Sequence, residues 1–354
     1  MRNAKKGVAA LTALTVAAAG AMASVGAVAA QDDDELIIGV SWNNYNEERW
    51  AALDEPPMKA AIEDAGGVYV NTNANSSAEQ QLNDIDQLIT QGADALIVLA
   101  QDKDAILPAV QRAADEGIPF IAYDRIIEDP SVLYMSFDNT RVGEEMAKVI
   151  YSLVPEGNYA IIKGNEADEN TRFLRAGMET VIGEAVANDD IEIVCETYTD
   201  NWDGTLAQTN MENCLTAVDN DIDAVLSEND GMATGVVAAL EAQGLQVPVS
   251  GQDGDIAALN RVAQGRQAVS VWKDSRILGD LAGKAAVAMA TGTPIEEVDG
   301  VFEFESPSGE ILNTVYVEMD VLTQDNLQEA VDRGRISQEE LCADVEPGSV
   351  PACP

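Results

Sequence analysis

Pro119-Phe120-Ile121-Ala122-Tyr123-Asp124-Arg125 carries four apolar or aromatic residues straight into an acid and a base. A short apolar run of this kind is the pattern of a buried strand. In an open α/β sheet, ligands bind outside the carboxyl ends of the strands. Asp124 and Arg125 stand at such an end. Carboxylate acceptors beside a planar fork of donors can grip vicinal hydroxyls. Taken alone, the pair could equally be a solvated ion pair.

Working outward, apolar runs at 36–40, 68–71, 95–100 and 120–124 read as strands. Leu82, Ile85, Leu88 and Ile89 share one helical face, and 104–116 reads as a helix closed by Gly117. Strands alternating with helices of this length predict βαβ units and a parallel sheet. The alternation pauses at 132–138, a strand with no helix before it. It restarts with helices at 141–153, 171–187, 205–218 and 232–243, and strands at 159–163, 191–199, 224–227 and 247–251. A strand at 268–272, a helix at 277–291 and late strands at 301–305 and 311–318 follow. The expected fold is α/β, with two doubly wound parallel-sheet lobes and a ligand cleft between them. The expected N-terminal lobe is 36–138 plus about 273–306, and the C-terminal lobe 139–272 plus about 307–341. Pro56-Pro57 interrupt the first helical stretch, so the main helix should begin near Pro56. Residues 43–53 then form a loop or a separate short turn.

The 354 residues can bury two cores, and a net charge of −42 repels nucleic acid and anionic membranes. Such a shell suits high salt, where repulsion is screened. There is no histidine, which excludes Ser-His-Asp and Cys-His nucleophiles and His-containing metal sites. No P-loop, dinucleotide fingerprint, EF-hand or nucleophile elbow occurs. No cofactor is expected. Residues 1–30 read as a secretory signal, with Arg2, Lys5 and Lys6 ahead of an Ala-rich run and small residues before Gln31. Its loss would deepen the charge to −45, because it holds three cations and no acid. Residues 31–35 form an acidic lead-in. Export permits disulfides. Cys195, Cys214, Cys342 and Cys353 allow three pairings. Proximity favours Cys195–Cys214 and Cys342–Cys353, the second bounding a tail at 342–354, with free thiols the alternative.

Several other strand ends carry polar or aromatic residues. These are Asn43, Asn44, Arg49 and Trp50; Asp168-Glu169-Asn170; Asp200-Asn201-Trp202; Asn229-Asp230; Gln252-Asp253; and Lys273. A sugar has apolar CH faces and a belt of hydroxyls. Tryptophan can cover the faces, while Asp, Asn, Arg and Lys satisfy the belt. Each residue also has a plainer role. Trp50 and Trp202 could pack, Asn229 could cap a helix, Asp253 could make a turn, and Lys273 could be a surface cation.

Glu48-Arg49-Trp50, Ala122-Tyr123-Asp124-Arg125, Ser136-Phe137-Asp138-Asn139, Arg175-Ala176-Gly177, Asp223-Ala224-Val225, Ser250-Gly251-Gln252-Asp253 and Trp272-Lys273-Asp274 occur in order. In this the chain resembles the periplasmic sugar-binding proteins of ABC importers, type I fold, and most nearly their D-xylose-binding members. The resemblance implies hydroxyl bonding by Arg49, Asp124, Arg125, Asn170, Asn229, Asp253 and Lys273, and stacking by Trp50 and Trp202. Asn43 stands where similar proteins carry an acid. The resemblance further implies an exported monomer that closes over one monosaccharide, D-xylose, and delivers it to a permease. A broad aldose receptor for transport or sensing is the alternative, since Lys273-Asp274-Ser275-Arg276 also matches multi-sugar receptors. A secreted carbohydrate-active enzyme would need Asp124 and Asp253 as acid and base. Both lie beside Arg or Gln and read as hydroxyl acceptors. A repressor on the same fold would need a basic DNA-binding segment, which the composition opposes.

Overall fold

Two mainly parallel β-sheets and a separate two-stranded pair account for the alternation in the sequence. The computed structural model describes residues 35–354. The expected signal segment and nearly all of the acidic lead-in lie outside the described residues. The strands are β1 (Ile37–Trp42), β2 (Val68–Asn73), β3 (Ala95–Val98), β4 (Phe120–Tyr123), β5 (Val132–Phe137), β6 (Gly157–Lys163), β7 (Ile191–Tyr198), β8 (Ala224–Ser227), β9 (Ser270–Trp272), β10 (Phe302–Glu305), β11 (Ile311–Val317) and β12 (Asp320–Leu322).

The first lobe is a seven-stranded sheet in the order β10-β11-β5-β4-β3-β1-β2. All its pairings are parallel except β10–β11. Strands β3 and β4 are buried throughout, as central strands covered on both faces must be. On one face Ile38, Val40 and Ile121 pack on Met58 and Ile62 of helix Glu55–Asp64 and on Leu278 and Ala282 of helix Ser275–Ala290. On the other, Leu96, Val98 and Phe120 pack on Ile85 and Leu88 of helix Ala78–Thr90 and on Val110 of helix Leu107–Asp115. The second lobe holds β7-β6-β8, with β9 and β12 forming an antiparallel pair beside it. Four helices (Asn139–Leu153, Asn170–Ala187, Gly204–Ala217 and Asp230–Ala242) close its core. The chain passes between the sheets after β5, after β9 and after β11. Among the described residues no helix is long and apolar enough to cross a membrane.

Three expectations change. Residues 247–251 make one isolated bridge, Val225 to Val249, rather than a strand, and Gln252 just beyond bridges Val271. Pro248 lies in the middle and has no N–H to give a ladder. Strand β11 pairs with β5, so 311–317 belongs to the first sheet, not with the C-terminal lobe. Residues 50–54 are neither loop nor detached turn. They form a π-helical turn that runs directly into helix Glu55–Asp64, with Glu55 N–H donating to Trp50 O. The prolines fall in that helix's first turn, where missing donors cost least.

Both disulfides favoured by proximity are present, Cys195–Cys214 and Cys342–Cys353, with Cα separations of 5.8 and 5.6 Å. Each closes a short loop and restricts the unfolded chain.

Helices Asn139–Leu153 and Asn170–Ala187 meet backbone to backbone. A Cβ on Gly177 would lie 1.9 Å from Thr140 O, and one on Gly143 would lie 2.0 Å from Leu174 O. A Cβ on Gly183, on the same helix, would meet only the flexible end of Glu179. Gly177→Ala should therefore lower unfolding stability by about 1–3 kcal/mol. Gly183→Ala should raise it by up to about 1 kcal/mol. Urea titration of both variants checks this, and equal effects would contradict the close crossing.

Candidate functional site

Arg49 has a fully buried side chain, so its charge must be answered inside the protein. The turn Trp50–Asp54 brings Asp54 back to it, with Nη2 donating to Oδ1 at 2.8 Å and Nε to Oδ2 at 3.2 Å. Tyr123, at the end of β4, donates its hydroxyl to the same Oδ1 at 2.6 Å. The remaining Nη1 reaches Asp124 Oδ2 at 3.0 Å and, across the cleft, Asp253 Oδ1 at 3.4 Å. Lys273 Nζ completes the group 3.0 Å from Asp253 Oδ1. Burial disfavours the Arg49 charge, yet Asp124, Asp54 and Asp253 outweigh it and hold its pKa well above the ordinary value. Burial also works against the Asp124 carboxylate, but Arg49, Lys273 and Arg125 keep its pKa below the usual range. The pair is ionised on both sides.

Arg125 serves the other end of the cleft. Its Nη1 donates to Ala100 O at 3.2 Å and its Nη2 to Glu47 Oε1 at 3.3 Å. Its Nε lies 2.9 Å from Asp168 Oδ2 in the second lobe, off the line of a hydrogen bond. Asp168 accepts the Trp202 indole N–H at 3.2 Å and the Asn170 N–H at 3.0 Å. Asn170 in turn donates to Asp124 O at 3.2 Å. Asn229 is both things the sequence allowed. Its Oδ1 caps helix Asp230–Ala242 at Met232 N–H, and the residue still faces the cleft.

These side chains enclose one small chamber of about 20 Å³ between the lobes. Nine of the ten expected residues line it: Arg49, Trp50, Asp124, Arg125, Asn170, Trp202, Asn229, Asp253 and Lys273. Asn43 does not. It is buried one layer back, accepting Asn44 N–H at 2.7 Å and donating to Gln101 at 3.3 Å. As a neutral amide it holds the loop turn that leads to Arg49. The chamber also takes in Glu47, Asp168 and Gln252, which stand at the same strand ends, next to or between the residues singled out. Position within those short motifs was the available signal. A larger groove of about 580 Å³ lies on the outer side of the second lobe, by Leu153, Pro248 and Arg266, but no buried charges converge there.

Three wall residues hold left-handed backbone: Asp124 (φ 61), Trp202 (φ 55) and Asp253 (φ 100). Non-glycine residues pay about 1–3 kcal/mol for such conformations, which persist where surrounding bonds over-determine them. Asp230 does this for Asp253, accepting Gly254 N–H at 3.0 Å, Asp255 N–H at 3.1 Å, Ser270 Oγ at 2.6 Å and Gln267 Nε2 at 2.8 Å. Trp202 lies flat against Gly164, where a Cβ would come within 2.3 Å of the ring. Gly164 is fixed by Glu228, whose Oε2 accepts its N–H at 2.7 Å while Oε1 is buried without a partner. Burial pushes the Glu228 pKa well above the carboxylate range.

A raised carboxyl pKa has a defined sign. Between the unfolded value and the folded value the native state holds a proton the unfolded chain has lost, so stability falls as pH rises. Glu228→Gln keeps the acceptor for Gly164 and removes the titration. Its melting temperature should exceed that of the parent at about pH 7.5 and approach it at about pH 5. Thermal unfolding at both values checks this; an equal loss at both would show that Glu228 is ionised in the native protein.

Comparison with known proteins places this geometry in context. The model of the periplasmic binding protein domain matches residues 38–294. The D-xylose-binding periplasmic protein of Escherichia coli (strain K12) is 37% identical over 261 residues, covering 73% of this chain and 79% of that one. A multiple sugar-binding periplasmic receptor of Rhizobium radiobacter is 30% identical over 241 residues, covering 62% and 68%. Among solved structures, an ABC transporter solute-binding protein from Clostridium phytofermentans with bound β-D-glucose superposes with a TM-score of 0.80 at 28% identity, covering 86% of this chain and 99% of that one. With two α/β lobes, three crossings between them and a charged interlobe chamber, the chain belongs to the periplasmic-binding-protein family and has its type I fold.

Proposed function

We propose that this protein is an exported receptor that captures one monosaccharide, D-xylose, between its lobes and delivers it to an ABC permease. The observation that carries the reading is the composition of the chamber wall. Two indoles, one from each lobe, stand with three cations, four acids and three amides around one small volume. One wall atom, Gln252 Oε1, is buried with no hydrogen-bond partner within the protein. An orphaned buried polar atom costs about 1–3 kcal/mol, which a ligand hydroxyl would recover. A site built in this way discriminates strongly against a sugar lacking or misplacing a hydroxyl. The wall charges are already paired with one another, which suits a neutral polyol better than a charged substrate. The sequence similarity to the D-xylose-binding relatives supports the choice of sugar.

Opening and closing would proceed by hinge motion at the three crossings, and the permease would read the closed form. The strongly acidic surface fits an exported protein working in salt. The Cys342–Cys353 bond fits an oxidising compartment.

Calorimetric titration in high salt with D-xylose, D-glucose, L-arabinose and D-ribose tests the proposal. Tight one-to-one binding of xylose alone is expected. Comparable binding of several aldoses would move the specificity to the broad type, and no heat with any would remove the sugar assignment. Trp202→Ala should weaken xylose binding by more than about 1 kcal/mol through lost stacking surface. An unchanged dissociation constant would place that ring outside the bound sugar.

A further inference from the structure

The last thirty residues do more than end the chain. Leu327, Ala330, Ile336, Leu341 and Val350 pack on Leu259 and Val262 of helix Ile256–Ala263 and on Trp272 in one apolar cluster. Asn260 Nδ2 donates to Leu341 O at 2.9 Å and to Ala343 O at 2.8 Å, and Cys342–Cys353 staples the segment. The tail is therefore fixed to the second lobe. Arg333 ties it to the crossing strands, with Nη2 3.1 Å from Asp274 Oδ2 and its guanidinium 4.0 Å from the Trp272 ring.

Two residues on, Arg335 turns inward and its side chain is 3% exposed. Nε donates to Gly254 O at 2.7 Å, and Nη2 reaches Glu48 Oε1 at 3.0 Å. Gly254 follows Asp253 of the chamber wall, and Glu48 precedes Arg49. Those two neighbours face each other across the cleft at 3.4 Å. Arg335 thus holds the backbone behind one wall residue and the side chain beside the other, one in each lobe. The acids near its guanidinium include Glu48, which it bonds, and Asp255, whose carboxyl it acts on.

We propose that Arg335 is a positioning residue for closure, a clasp on the stapled tail that engages Glu48 only when the lobes meet and sets how long the closed form lasts. This rests on the receptor reading. Glu48 is 40% exposed, so its pairing with Arg335 is partly screened and its contribution is moderate.

Stopped-flow kinetics with D-xylose test this on the full chain. Arg335→Met and Glu48→Gln should each raise the dissociation rate about three- to ten-fold with the association rate nearly unchanged. The double variant should be no faster than Arg335→Met, and Arg335→Lys should recover part of the loss. Arg266→Met, which breaks a surface pair with Glu241 elsewhere on the second lobe, should leave the dissociation rate alone. Unchanged dissociation in both single variants, or additive effects in the double, overturns the clasp. Should the parent bind none of the four sugars, the receptor reading fails separately. The clasp is then judged from interlobe distances between spin labels without ligand: Arg335→Met should deplete the short-distance population, and an identical distribution overturns it.

Discussion

A buried guanidinium is the constraint around which this protein is arranged. Removing Arg49 from water carries a penalty of several kcal/mol unless the charge is matched and its donors are used. Asp54 takes two donors in bidentate geometry, which fixes the turn before helix Glu55–Asp64. The third donor group is shared between Asp124 in the same lobe and Asp253 in the other. One cation thereby couples a local turn, a strand end and the interlobe distance. Phe137 and Trp50 cover its faces at 5.8 and 4.3 Å and exclude the water that would otherwise screen it.

The second lobe carries its own supports, and they are of a different kind. Two buried acids with raised pKa values organise its share of the wall. Glu228 accepts the Gly164 N–H, and Gly164 in turn lies against Trp202. Burial likewise raises the Asp230 carboxyl, which gathers four donors around the Asp253 turn. Neither touches the chamber in a way a residue list would reveal. Asp230 braces the left-handed Asp253 turn, and Glu228 fixes the glycine against which Trp202 lies.

The contacts within the lobes and between them differ in kind. The contacts within each lobe are short, buried and multiply bonded. Those between lobes are fewer and are mostly ionic or amide contacts, such as Gln101 Nε2 to Asn201 Oδ1 at 3.0 Å, of a kind that water can also satisfy.

The sequence by itself determined the alternation of strands and helices, the two-sheet class and nine of the chamber residues. The reason is that strand ends in such sheets converge, so a polar or aromatic residue just past an apolar run reports its own position. The Cys pairings were legible too, because short loops bring neighbours together. What only the tertiary structure decided lies where pairing is long-range. Strand β11 joins the first sheet because its partner, β5, lies almost two hundred residues earlier. Residues 247–251 lose their strand to Pro248 and to neighbours that no local pattern specifies. Asn43 lies behind the wall because a one-layer shift in depth leaves no trace in periodicity. The inward turn of Arg335 depends on a tail packed on the second lobe beside the cleft, and one arginine in a polar segment carries no local mark of the lobe it will meet.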